Sequence, residues 1–210
     1  MSNNHLLYHI SHYENLASIL QRGCLSAHSN IQKETMHYTN IAHHGLQSRR
    51  STTSIPVKPM GILHDYVPFY FAPRSPMLYA IKQGRVEGFS GNQNDILYLV
   101  TRTDIMERTE RPFVFTDGHG IMFITEFYNH MKDLNKVDWD MMKEWYWSDT
   151  EEDPDRKRRR QAEFLVYQFV KLEHFLGIGV RTEKMKSFIE EMLREHSIDL
   201  PVLVRPKFYF

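Results

Sequence analysis
Arg156-Lys157-Arg158-Arg159-Arg160-Gln161-Ala162-Glu163-Phe164-Leu165-Val166-Tyr167 joins five consecutive cations to an apolar run through a single carboxylate. The apolar part suits a buried, pleated surface and reads as a core strand. The basic part offers phosphates a landing site. Glu163 stands where the two meet, at the lip of the predicted sheet. A carboxylate held there beside cations suits an enzyme that handles positive charge developing on a sugar carried by a polyanion. The plainer alternative is a surface ion pair next to a core strand, and both readings stay open on this segment alone.

Working outward, the same segment closes a charge boundary. Between Asp133 and Asp155 stand nine acids and two bases, and the basic run follows at once. These could neutralise one another on the surface, or the acids could keep loose polyanions away until a specific one fits. Upstream, Leu6 to Ile10 reads as a first strand. A short helix follows behind Asn15, with Leu16, Ile19 and Leu20 on one face and Gly23 as its stop. Residues 26–58 lack periodicity and read as a long loop, a length that is usually functional in a compact domain. Tyr66 to Phe71 is a strand placed at an edge or bend by Pro68. Ser75 and Pro76 open a helix that ends at Gly84. Asp95 to Thr101 and Phe113 to Phe115 are further strands. Ile121, Ile124, Phe127, Tyr128 and Met131 trace a helix face. Phe164 to Val170 is one strand, Thr182 starts a late helix, and Pro201 to Phe210 closes as a β segment. Strands and helices mix without a regular βαβ repeat, so the fold class is α+β.

The totals are those of one domain spanning 1–210 with a full core. Lys plus Arg and Asp plus Glu both number 26, so bulk attraction to nucleic acid is excluded and any such binding must come from a local patch. Cys24 is the sole cysteine, which suits a reducing cytoplasm. Met1 to Asn4 is polar with no apolar run behind it, so no leader is expected, and no stretch approaches a membrane span. Twelve histidines invite a metal. None has a ligand spacing of a known kind, and there is no HExxH helix or cysteine cluster, so no metal is expected. Nucleophile-elbow, P-loop and GxGxxG patterns are likewise missing. What remains is a set of polar residues on strand edges: His9, Ser11 and His12, then Arg49 and Arg50, Arg74, His119 and Glu163.

At these residues the chain resembles the DarT family of DNA ADP-ribosyltransferases, the toxin half of bacterial DarT–DarG toxin–antitoxin pairs. The resemblance is carried by Tyr8-His9-Ile10-Ser11-His12 with Asn15-Leu16, by Ser48-Arg49-Arg50, and by the fifteen-residue block Asp65 to Tyr79. Thr116-Asp117-Gly118-His119, Arg159 to Val166 and the aromatic ending Lys207 to Phe210 complete it. The departures are Ser11 for threonine and Phe208 for tryptophan.

The resemblance implies an ADP-ribosyltransferase-like split β-sheet core with flanking helices and NAD in its cleft. It implies transfer of ADP-ribose to a base of single-stranded DNA, thymine favoured over guanine, with release of nicotinamide and with a DarG-like macrodomain antitoxin as partner. On this reading Glu163 stabilises the sugar cation. Arg49 or Arg50, in a substrate loop at about 27–58, stabilises the anionic base, and His119 contacts nucleotide or phosphates. His9, Ile10, Ser11, His12, Asn15, Tyr70, Met77 and Tyr79 would hold NAD. Arg49, Arg50, Arg74, His119, Arg156, Arg158, Arg159 and Arg160 would hold DNA, with Lys58 beside them. Two competitors are a same-fold transferase acting on protein or RNA, and a non-catalytic module binding single strands or an antitoxin.

Overall fold
The computed structural model describes residues 4–34 and 38–210. Met1 to Asn3 and part of the predicted substrate loop, 35–37, lie outside the described residues. Strand β1 (Leu6–His12) leads into α1 (Asn15–Arg22), which Gly23 ends in the left-handed conformation at φ 67°. Then come β2 (Cys24–Ser26), α2 (His28–Lys33) and α3 (His44–Arg50), so the expected loop carries two short helices. Strand β3 (Tyr66–Tyr70) precedes α4 (Pro76–Lys82), where Ser75 accepts the Leu78 N–H as predicted. Strand β4 (Ile96–Arg102), α5 (Thr103–Arg108), β5 (Phe113–Thr116), β6 (Phe127–Tyr128), α6 (Trp139–Lys143) and α7 (Arg156–Arg160) follow. The chain closes with β7 (Glu163–Tyr167), β8 (Phe169–Lys171), β9 (Gly177–Val180), α8 (Glu183–Glu195) and β10 (Val202–Val204).

Eight strands form one sheet in the order β10-β9-β4-β1-β3-β7-β5-β6, antiparallel except for β9 and β10. Strand β1 pairs with β4 along its whole length but with β3 only at Tyr8↔Tyr70. That single register point splits the sheet into halves and opens a cleft between them. Pro68 sits on the β3 side of this split. Of the edge or bend expected at Pro68, the edge is corrected: a proline without an N–H is tolerated inside the sheet because the ladder to β1 is open there.

Strand alternation decides what faces the cleft. In β7, Phe164 and Val166 enter the main core, while Leu165 points to the other face. Glu163, two residues before Leu165, shares that other face. Phe164, Phe115 and Phe71 pack ring against ring beneath, and truncating Phe164 to alanine would cost about 3–5 kcal/mol. The expected helix over 121–131 is replaced by a turn, the short β6 and a 3-10 turn at Met131–Lys136. Ile124 is exposed while Ile121 and Met131 are buried in different clusters, so their helical spacing does not record one packed face. The strand read as Phe164 to Val170 breaks at Gln168 (φ 65°) into β7 and β8.

Candidate functional site
A cleft of about 720 Å³ opens at the split. Its lining includes His9, Ile10, Ser11, Asn15, Tyr70 and Met77 from one set of predicted residues, and Arg49, Arg50, His119, Arg158 and Glu163 from the other. Residues 113 positions apart meet on its floor. Arg50 Nη1 donates to Glu163 Oε1 at 2.7 Å and to Oε2 at 3.1 Å. The Glu163 side chain is 4% exposed and that of Arg50 13%. Arg50 Nη2 is buried with no hydrogen-bond partner among the described residues. A buried cationic donor left unpaired is costly, so this nitrogen marks a place for an acceptor.

Neighbouring elements fix the carboxylate. The Glu163 N–H donates to Thr116 Oγ1 at 2.9 Å, and that hydroxyl donates to the Gly118 carbonyl at 2.7 Å. Gly120 lies so close that a Cβ there would be 3.1 Å from Glu163 Oε2 and 3.3 Å from Leu63. Tyr70 is the cross-strand partner of Glu163, and burial raises its hydroxyl pKa, with the Glu163 charge adding to the effect. Burial lowers the pKa of His119, and the cations Arg50, Arg49 and Lys157 lower it further against the pull of Glu163. Burial pushes His9 down to about 4, against the effect of its bond to Pro68. Neutral at ordinary pH, its Nδ1–H donates to the Pro68 carbonyl at 2.8 Å and bridges the split.

Arg49 points differently from Arg50. Its Nη2 donates to the Ile121 carbonyl at 3.1 Å, tying α3 to the turn after His119. Asn15 lies in the cleft wall but its amide is occupied. Nδ2 donates to Ser11 Oγ and to the Thr39 carbonyl, and Oδ1 accepts the Thr39 N–H at 2.7 Å. It fastens the segment Thr39 to His43, which lines the same cleft.

Other predicted residues lie elsewhere. His12 packs on Tyr13 and Phe89, with its Nδ1 3.4 Å from Glu14. Tyr79 lies edge-on to Trp147 and Phe210 at the far side of α4. Arg74 donates to the Tyr209 carbonyl at 2.8 Å and stacks its guanidinium 3.8 Å from the Trp145 ring. The basic residues expected to hold DNA are not all brought to this cleft. Arg156 holds the carbonyls of Tyr146 and Ser148. Arg159 is bound by Asp138, Asp153 and Asp155. Arg160 is 6% exposed and donates to the Met142 and Pro73 carbonyls, and burial drops its pKa to about 10. Lys58 lies away from this cleft, beside a shallow hollow with Arg111 and Asn129. The acidic segment thus folds against the basic run, the self-neutralising arrangement of the two left open by the sequence.

The sequence did not single out His28, Tyr38, Gln47 or His64, all of which line the cleft. His64 Nε2 bonds Gln47 Oε1 at 2.8 Å, and burial, with His28 and Arg50 adding, holds His64 down to about 4. His28 Nδ1 meets Tyr38 Oη at 3.0 Å. Gln47 precedes Arg50 by three on α3 and shares its face, but with 26–58 read as a loop that spacing carried no signal. Among the described residues no group of three or more His, Cys, Asp or Glu could hold a metal ion, and no helix is long and apolar enough to cross a membrane.

The family model described as ssDNA thymidine ADP-ribosyltransferase, DarT, matches residues 8–210. A DNA ADP-ribosyl transferase of Thermus sp. (strain 2.9) is 38% identical over 189 residues, covering 90% of this chain and 87% of that protein. The structure of Thermus sp. 2.9 DarT in complex with ADP-ribosylated ssDNA superposes with a TM-score of 0.90 at 36% identity, covering 98% of this chain and 96% of that one. Its complex with NAD+ gives 0.84 at 34% identity, covering 98% and 97%. A DNA ADP-ribosyl transferase-DNA ADP-ribosyl glycohydrolase fusion protein of Thermosipho africanus is 27% identical over 205 residues, which is 97% of this chain and 49% of the fusion.

Proposed function
Because the chain belongs to the DarT family of NAD-dependent DNA ADP-ribosyltransferases, we propose that it modifies thymine in single-stranded DNA, with Glu163 and Arg50 as the catalytic pair. The observation that carries this is the buried Arg50–Glu163 contact, with its spare Nη2, on the floor of the cleft. Breaking the bond from nicotinamide nitrogen to ribose C1′ leaves positive charge on the sugar, and the bonding electrons depart with nicotinamide. The Glu163 carboxylate stabilises that charge from a dry site, where a fixed anion acts most strongly. Thymine attacks C1′ through N3. The N3 proton passes to Glu163, and the negative charge spreading to the ring carbonyls is met by Arg50 Nη2.

Backbone of His9 to Ser11 grips the nicotinamide amide, and Tyr70 and Met77 wall its ring. The neutral state of His9 favours this, because no cation then faces the charged pyridinium. His119, neutral as well, contacts the target nucleotide. Arg49 and Lys157 at the rim serve the DNA phosphates.

We assign the whole of 1–210 to one domain, a reading supported by a single sheet that uses both the first and the last strand. The lone Cys24 favours a reducing cytoplasm. The fused glycohydrolase of the Thermosipho relative supports a DarG-like partner that removes the mark. The test is incubation with NAD and four oligonucleotides, each rich in one base, read by mass spectrometry. Addition of one ADP-ribose to the thymine strand alone is expected. Addition to the guanine strand would replace the base assignment. Unmodified strands beside a modified protein or RNA would replace the acceptor class.

A further inference from the structure
The guanidinium of Arg158 lies beside the cleft but is built into the molecule. Its Nε and Nη2 donate to the two carboxylate oxygens of Asp155 at 2.7 and 2.8 Å. Its Nη1 donates to Asp117 Oδ1 at 3.1 Å and to Thr125 Oγ1 at 3.3 Å. Four of these five-donor forks' N–H positions are thereby engaged, and the side chain is 11% exposed. The backbone joins in. The His119 N–H donates to the Arg158 carbonyl at 3.0 Å, and Thr125 Oγ1 donates to the His119 carbonyl at 2.8 Å. Gly118 lies flat on the guanidinium, so that any Cβ there would collide with it.

One residue therefore fastens both ends of the turn Asp117 to Thr125. That turn presents His119 to the cleft and lays Gly120 against Glu163. One N–H of Nη2 is left over, so an arginine that gripped a DNA phosphate with two N–H groups would have to surrender Asp117, Thr125 or Asp155. Asp117 is itself anchored, because its Oδ1 also accepts the Glu126 N–H at 2.8 Å.

We infer that Arg158 is a positioning residue for base transfer: it sets the Asp117–Thr125 turn, and through it His119 against Glu163, and it is not a ligand of the DNA backbone. Displacing a reacting group by about 1 Å can cost on the order of a hundredfold in rate. The inference rests on the proposed site. A wild-type protein that transfers to no oligonucleotide would refute that site before any variant is compared.

The test uses full-length Arg158→Gln, Asp117→Asn and Gly118→Ala. For each, the transfer rate at saturating NAD and thymine oligonucleotide is measured, together with NAD affinity and oligonucleotide Kd across salt. Each variant should lose about 10- to 100-fold in saturating rate, with NAD affinity within about twofold and the salt slope unchanged. Asp117→Asn is the sharpest variant, because it removes an anion beside the DNA path. A phosphate-binding Arg158 would then bind DNA more tightly and transfer at least as fast, whereas a positioning Arg158 transfers more slowly. A salt slope reduced by about 0.7 in Arg158→Gln at an unchanged saturating rate would overturn the inference. So would a wild-type rate in Asp117→Asn. If Arg158→Gln does not fold in a thermal melt, the other two variants decide.

Discussion

Two arginine clusters border the same cleft and do opposite things. The pair on α3 contributes Arg50, which makes one buried contact with Glu163 and keeps Nη2 without a partner among the described residues. The run on α7 contains more charge, yet Arg156, Arg158, Arg159 and Arg160 are all bound internally. The run follows an acidic stretch that folds back onto it, whereas Arg50 meets its acid from a distant part of the chain. Cation density along the sequence therefore says little about which cations remain to meet a ligand. What counts is whether the number of acceptors within reach falls short of the number of donors.

The largest effect should come from the acid on the α3 side of this comparison. Glu163→Gln keeps an oxygen for Arg50 and a similar volume, so the fold should hold while transfer falls by about a hundredfold or more. Single-turnover transfer to a thymine oligonucleotide measures it, with a thermal melt as control. A variant as active as wild type would remove Glu163 from the chemistry and make the α3 pair as structural as the α7 run.

Next in size is the contrast within α3. Arg50→Lys loses the planar fork and its spare donor, and should lower transfer about 10- to 100-fold. Arg49→Lys should change it by no more than about threefold, because Arg49 reaches only a carbonyl at the rim. Removing the cation altogether, in Arg50→Ala, leaves a buried carboxylate alone and should cost about 3–5 kcal/mol in urea unfolding.

On the α7 side the expected change is in stability rather than chemistry. Arg159→Ala releases Asp138, Asp153 and Asp155 at a site one-quarter exposed, so a loss of about 1 kcal/mol is expected after allowing for solvent screening. The salt slope of DNA binding should not move. Acid titration separates the two regions further. His9 and His64 are held to about 4 in the folded protein and titrate near 6.5 when unfolded. Between those values the unfolded chain takes up protons that the folded chain refuses. Stability is thus full above about 6.5 and is lost as pH falls toward 4. Arg50 is one of the charges holding His64 down, so Arg50→Gln should make this loss shallower. Arg159→Ala should leave its shape alone. Urea midpoints from pH 7 to 4 provide the check.

These contrasts also show what a sequence can carry. Local rules worked where the cause is local: Gly23 ended α1, Ser75 and Thr182 capped their helices, and β7 followed from its apolar run. Glu163 was visible as a carboxylate at a strand start. Arg49 and Arg50 were expected to stabilise the base and were not told apart, and neither was expected against Glu163, because that contact joins residues 113 positions apart. Pro68 misled for a related reason. A missing N–H marks an open ladder, and the rule cannot tell a sheet edge from a split inside the sheet. Ile121, Ile124 and Met131 mimicked a helix face by spacing alone: Ile121 and Met131 are buried in different clusters and Ile124 is exposed.

The smallest predicted effect tests the one member of the α7 run that differs from its neighbours. Lys157 lines the cleft, is exposed, and forms no ion pair among the described residues, although its backbone N–H is held by Asp149 at 2.8 Å. It has the same sequence surroundings as Arg158 and Arg159 but faces the opposite way from the acids that bind them. If availability rather than density decides, Lys157→Ala should weaken oligonucleotide binding by a few-fold at low salt. It should reduce the log–log salt slope by about 0.7, the contribution of one phosphate contact to a single strand. The saturating transfer rate should stay within about twofold, since among the described residues the Lys157 side chain makes no hydrogen bond to the turn bearing His119 and is only one of three cations that lower the His119 pKa. A binding isotherm series between about 50 and 200 mM salt resolves a slope change of this size. An unchanged slope in Lys157→Ala would mean that the α7 run contributes no phosphate contact at all, and the single strand would then have to be held from the α3 side alone.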